Sequence, residues 1–279
     1  PTSTQAAQLV VNNATLYFYP VFTTATSTHR GLTLVGSATL NTAAGSDVTW
    51  AGPVTGAALS KVGDGTLVLT GDNSYTGGTT ISAGRLVAGG AANALGTGSV
   101  TVSGTRLSFD TTAPVTYSNA ISLTGTGVLE NTGAQAVTFN GGVNTNLTTT
   151  VVVDGGSAGL TIANVMTPTG AGAGAGASAS YYIKGDVTFT GHNMNSLVVR
   201  AAGEATAKFT ATNGVTSFTP WFIGSDTAAY AMNIDVGAGV SVSENSSQGA
   251  ASLYYKNITG AGTLSLGGSA ATTGYVVGD

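Results

Sequence analysis

The sequence contains no cysteine, which excludes a disulfide framework and thiolate metal sites. Charge is nearly as scarce: 7% of the residues are charged, against about 25% in an average soluble domain. The eight basic residues, Arg30, Lys61, Arg85, Arg106, Lys184, Arg200, Lys208 and Lys256, stand singly along the chain and the net charge is −4. No basic stripe is available for a phosphate backbone, so no nucleic-acid partner is expected. Docking on anionic lipid is excluded on the same ground. Long apolar runs are missing too, so no membrane-spanning helix is expected. The chain opens Pro1-Thr-Ser-Thr-Gln, without the positive region and apolar core of a secretory signal, and Pro1 reads as a mature or trimmed end.

Catalytic and metal-binding constellations are equally sparse. His29 and His192 lie 163 residues apart with no carboxylate at ligand spacing beside either, and both read as loop or turn residues. The acids, among them Asp47, Asp64, Asp72, Asp110, Glu130 and Asp154, sit singly beside Gly, Asn or Ser. Such placement is turn chemistry, because Asp and Asn side chains bond their own backbone two residues on. Gly63-Asp-Gly65 and Gly71-Asp-Asn73 echo calcium-binding turns. One carboxylate per turn, however, falls short of the 6 to 8 oxygens that calcium takes. No catalytic residue, cofactor or metal is therefore assigned, and the protein is read as a non-enzyme. Four sequons, at Asn13, Asn146, Asn245 and Asn257, are frequent by chance in so Asn- and Thr-rich a chain and imply no sugar if the source is bacterial.

What the chain does have is 42 glycines, 42% hydrophobic residues and short runs of Val, Thr, Ile, Leu and Tyr that alternate with period two between turn residues. These predict strands and turns throughout, with helix signals nearly absent. A neutral surface of Thr, Ser, Asn and Gly repels itself weakly, and suits packing against copies of itself or other neutral surfaces. A Gly-x-Gly-(Thr/Val)-Leu motif appears at Gly63 to Leu67, Gly125 to Leu129 and Gly260 to Leu264. Glycine allows the tight corner, and the next two residues then place one side chain outward and Leu inward. Stacked corners of this kind predict a solenoid in which each coil buries the inward Leu and Val of its neighbour. The separations, 62 and 135 residues, fit coils of about 20 to 22 residues only loosely.

The stretch Val54 to Gly71, followed by Asn73-Ser-Tyr-Thr-Gly-Gly-Thr79, Gly84-Arg-Leu86 and Ala94-Leu-Gly-Thr-Gly98, resembles an autotransporter-associated β-strand repeat. Only the second glycine of the opening is replaced, by Ala58. The resemblance implies a right-handed parallel β-helix, export across the outer membrane, and display at the bacterial cell surface. Autotransporters similar to this end in a membrane barrel with an aromatic final residue. This chain ends Tyr275-Val-Val-Gly-Asp279, which raises the expectation of self-assembly.

The expected organisation is an N-terminal β segment over 1–50, a repeat-containing solenoid over 51–168, a Gly/Ala-rich linker or loop over 169–180, and a C-terminal β region over 181–279. That last region either continues the solenoid or forms a second β domain; β-sandwich or jelly-roll modules are the alternative fold. Function reads as an extracellular, self-associating surface or filament subunit with adhesin-like character. The alternative is a carbohydrate-binding adhesin or polysaccharide-active enzyme on the same scaffold. The expected partners are copies of the chain itself, with host or matrix surfaces as further candidates. The candidate assembly strand is the apolar N-terminal stretch Leu9, Val10, Val11, Leu16, Tyr17, Phe18, Tyr19, Val21 and Phe22. It reads either as a cap on the solenoid core or as a donor to a neighbour's sheet. The pairs Tyr181-Tyr182, Trp221-Phe222 and Tyr254-Tyr255 should each send one ring to each face of a strand.

Overall fold

A computed structural model describes residues 8–20, 26–90, 92–145, 150–163, 179–190, 197–210, 216–218, 222–224, 232–246, 253–268 and 275–277. Among these, every regular element is a β-strand and no helix is long and apolar enough to cross a membrane. All strand pairs are parallel and join segments one coil apart. Leu59 pairs with Thr79, Val100 with Ile121, and Ile121 with Val143, so a coil takes 20 to 22 residues in this region. The result is the expected parallel β-solenoid, of about nine turns.

Its outer surface has three principal faces. The first is the ladder Leu9–Asn12 with Thr15–Phe18, Leu32–Thr42, Val54–Val62, Thr79–Ile81, Val100–Ser103, Ile121–Thr124 and Val143–Thr145. The second begins at Thr26–Thr28 and climbs through Asp47–Trp50, Thr66–Leu69, Arg85–Ala88, Arg106–Phe109, Val128–Asn131 and Thr150–Asp154. The third stacks Val115–Tyr117, Val137–Phe139 and Leu160–Ile162. Faces two and three merge at Ala179–Thr190, because this strand pairs with Thr150–Asp154 through its first half and with Leu160–Ile162 through its second. A register shift at Gly185, whose φ is +61°, lets that strand bend where earlier coils turn a corner. The ladder then continues through Leu197–Thr210, Met232–Val236 and Leu253–Thr259 to Tyr275–Val277. Ala179 and Ser180, the end of the expected Gly/Ala linker, belong to this ladder. Residues 169–178 lie outside the described residues.

Period-two alternation builds the core. Leu59, Leu67, Leu69, Ile81, Leu86, Val100 and Val102 are all buried, while Thr66, Val68, Thr80 and Thr101 between them face outward. Aromatic rings fill the wider coils: Phe109, Tyr117 and Phe139 pack with centroids 5.0, 5.0 and 6.0 Å apart. Tyr181 is buried and Tyr182 half-buried, one ring to each side of its strand. Trp221 lies outside the described residues.

The Gly-x-Gly corners form as the motif requires. Gly63 has φ +77°, with Gly125 and Gly260 at +63° and +99°. Gly65 serves differently: a Cβ there would run into the carbonyl oxygens of Ala43 and Ser46 in the coil below, so the corners could not stack as closely. Leu67 and Leu129 then point into the core, and Leu264 is partly buried against it. Ile258 pairs with buried Ile234 yet remains 41% exposed. The strand Tyr275–Val277 covers only Leu253 to Tyr255, which leaves Ile258 without a described coil above it.

Candidate functional site

The candidate assembly strand forms the first described coil. Leu9–Asn12 pairs with Leu32–Val35, and Thr15–Phe18 pairs with Thr39–Thr42. Between them Asn13, at φ +45°, accepts the amide of Ser37 on its Oδ1 at 3.0 Å. This carries the chain across the register shift at Gly36. Val11 is buried, while Leu9, Leu16 and Phe18 are partly buried against the core. Val10, Tyr17 and Tyr19 face solvent, at 56%, 55% and 63% exposure, and the two tyrosine rings stack at 6.1 Å. The edge of this coil away from Leu32–Thr42 has no strand partner among the described residues. Val21 and Phe22 lie outside the described residues.

Inside the first repeat, side chains clip successive coils together. Buried Asn73 accepts the amide of Val54 at 2.7 Å and donates to the carbonyl of Ala94 at 2.7 Å, bridging the coils on either side of it. Asn119 repeats the device by donating to Gly96 and Gly98 at 3.1 and 2.6 Å. The Tyr75 hydroxyl lies 2.7 Å from the Thr79 hydroxyl, and burial pushes its pKa above the ordinary phenol range.

Lys61 is the residue sequence reasoning misplaced. It reads there as one of eight scattered cations, yet it is fully buried. Its ammonium donates to the carbonyls of Val62, Gly63 and Ala83 at 3.1, 2.8 and 3.1 Å. Three donors meet three acceptors at the stacked corners of two coils, so the charge is held without a buried carboxylate. Desolvation still pulls its pKa down to about 8, against the opposing pull of Asp64. The signal was available, since alternation from Leu59 puts residue 61 on the inward face.

Charge gathers on face two. Arg85 and Arg106 are strand partners, and both reach Glu130, with Arg85 at 3.2 Å. Glu130 is buried and also accepts from Ser108 at 2.6 Å, while Arg85 Nε donates to the same hydroxyl at 2.7 Å. Lys184 and Asp154 pair two strands further on, at 3.3 Å. The basic residues that stand singly in sequence are thus partly grouped, but each group includes an acid. Face one has the opposite character. Its outward row, Thr15, Thr39, Ser60, Thr80, Thr101, Ser122 and Asn144, is in continuous register and bears no charge. His29 is exposed, and His192 lies outside the described residues. No group of three or more His, Cys, Asp or Glu residues able to hold a metal occurs among the described residues.

Known proteins share part of this arrangement. A family model described as passenger-associated-transport-repeat matches residues 59–88, the segment that contains Lys61, the Gly63 corner, Asn73 and Tyr75. The chain is also 45% identical over 98 residues to the Adhesin BmaC autotransporter of Brucella suis biovar 1 (strain 1330). That alignment covers 34% of the chain and 3% of the adhesin, so the chain spans a small part of its relative. No solved structure matches. Residues 59–88 are therefore a passenger-associated transport repeat, set in a solenoid that is autotransporter passenger-like in its repeat and its all-β architecture.

Proposed function

We propose that this chain is an adhesin-like segment of an extracellular protein displayed at the bacterial cell surface. It acts by contact rather than catalysis, and it joins copies of itself through its first coil. The similarity to an autotransporter adhesin supports surface display and adhesion. The observation that carries self-association is the first coil. Val10, Tyr17 and Tyr19 stand exposed beside a strand edge with no partner among the described residues, and the half-buried Leu9, Leu16 and Phe18 present apolar surface there. Such an edge is a template for strand addition unless Lys, Pro or a covering element blunts it. A second chain, or a matrix protein offering an extended segment, satisfies the same backbone groups.

Sedimentation velocity across a concentration series tests the reading on the full chain and on a Tyr17→Asp, Tyr19→Asp variant. Both substitutions fall on exposed rings and spare the core. The reading expects growing oligomers for the parent chain and small species for the variant. Identical sedimentation of the two, or a parent chain that stays monomeric, removes the first coil as an assembly surface. Adherence of beads coated with the parent chain to extracellular matrix reports the adhesive property separately.

A further inference from the structure

The geometry points to a binding track for a neutral polysaccharide on face three, beginning in a pocket between successive coils and continuing along a threonine row. It rests on the adhesin-like reading and supplies what that reading lacks, a ligand class and a place. The pocket, of 260 Å³, is lined in part by Asn93, Thr97, Thr116, Ser118 and Asn119. Asn119 is fixed by its bonds to Gly96 and Gly98, and Asn93 by donating to Asp72 at 2.9 Å. The hydroxyls of Thr97, Thr116 and Ser118 face solvent and hold no hydrogen bond among the described residues. A cleft of this size, walled by hydroxyls and amides, suits one pyranose ring.

Thr116 is both a wall of that pocket and the first rung of a ladder. It pairs in register with Thr138, which pairs with Thr161, which pairs with Thr188. All four side chains point outward between buried neighbours. Parallel strands set these hydroxyls about 4.8 Å apart, close to the length of one pyranose unit in an extended chain. The row ends at Lys208, which follows Thr188 in register and pairs with Asp186 at 3.0 Å.

Charge decides the class of occupant. No pocket-lining residue and none of the four rungs is charged, so an anionic glycan gains nothing there that would offset its desolvation. A second protein chain is also disfavoured, because protein interfaces centre on aromatic, Met or Arg anchors and this track has none. A neutral polysaccharide matches it by hydrogen bonds alone. Each unit binds weakly, because water competes for every hydroxyl, and affinity accumulates along the row.

The test is a titration of the isotope-labelled full chain, followed by amide chemical shifts, with cellohexaose, chitohexaose and maltohexaose as neutral probes and a hyaluronan hexasaccharide as the charged one. At least one neutral hexasaccharide should shift amides at residues 116–118, 138, 161 and 188, and bind roughly tenfold more tightly than its disaccharide. Thr116→Val with Thr138→Val removes two hydroxyls while keeping β-branched residues in the strands. It should weaken binding roughly tenfold, whereas Thr101→Val on face one should leave it unchanged. Should the double variant fold poorly, Ser118→Asp at the exposed pocket wall gives the same reading. The proposal is overturned if no neutral probe shifts these amides, if only hyaluronan does, if the variants bind as the parent does, or if the shifts track protein concentration instead of probe. If the coated beads still adhere while the track binds nothing, the track alone is lost. If the beads never adhere, the adhesin-like reading falls first.

Discussion

Replacing Lys61 with Met keeps the length of the side chain and removes its donors. The three carbonyls it serves, on Val62, Gly63 and Ala83, lie in stacked corners where no other described side chain reaches them. Leaving each buried acceptor unpaired costs about 1 to 3 kcal/mol. Against this stands the desolvation of the ammonium, which the drop from 10.5 to about 8 measures as about 3 kcal/mol at neutral pH. The net loss for Lys61→Met is on the order of 3 kcal/mol at pH 7. Its pH dependence has a definite sign. The folded-state pKa lies below the unfolded one, so between pH 8 and 10.5 the unfolded chain binds more protons and stability rises with pH. From pH 7 to pH 10 the parent chain should therefore gain about 2 to 3 kcal/mol that the variant does not. Tyr75, Tyr117 and Tyr181 act oppositely near pH 10 and above, because burial raises their pKa and their contribution is lost as the pH climbs. They are common to both chains and cancel in the difference. Urea unfolding of parent and Lys61→Met chains at pH 7, 8, 9 and 10 measures this. Parallel pH profiles would refute the buried-ammonium account, as would a Met variant more stable than the parent at pH 7.

Other perturbations separate the structural devices. Leu67→Asp places a carboxylate where a fully buried Leu packs and should cost more than about 4 kcal/mol. Thr66→Asp, one residue earlier and facing outward, should cost less than about 1 kcal/mol, and equal losses in thermal melts would overturn the inward and outward assignment. Asn73→Ala leaves the Val54 amide and the Ala94 carbonyl unpaired, a loss of about 2 to 4 kcal/mol visible as faster hydrogen exchange at both coils. Gly63→Ala forces a Cβ against the Thr42 carbonyl at φ +77° and should destabilise by more than about 1 kcal/mol, with Gly90→Ala, in a roomier corner, the milder comparison. Glu130→Gln loosens Arg85 and Arg106, which are 36% and 48% exposed at the side chain, so in melts a change of about 1 kcal/mol or less is expected.

The local part of this fold was legible because alternation and corner glycines act within a few residues. Leu59, Leu67 and Leu69 point inward, and Gly63, Gly125 and Gly260 adopt positive φ, as short-range patterns require. Long-range register was not legible. Coils run 20 residues from Leu59 to Thr79 but 30 from Val152 to Tyr182, so no fixed period aligns the chain. That uneven spacing hid the meeting of Arg85, Arg106 and Glu130, and the row from Thr116 to Thr188. Lys61 was hidden differently: a lysine is almost never fully buried, and composition outweighed the parity that places it beside Leu59. The apolar N-terminal stretch was visible as a strand, but its pairing with Leu32–Thr42 depends on Gly36 and Asn13.

The absence of cysteine makes one measurement direct. Spin labels on cysteines substituted pairwise at Thr15 and Thr101, and at Thr15 and Ser122, probe positions four and five rungs apart in one outward row. Parallel stacking predicts backbone separations of about 19 and 24 Å, increasing by a single strand spacing from the first pair to the second. Pulsed dipolar spectroscopy showing that single-step increase supports the solenoid on which the assembly surface and the polysaccharide track both depend; distances unrelated to rung number would contradict it.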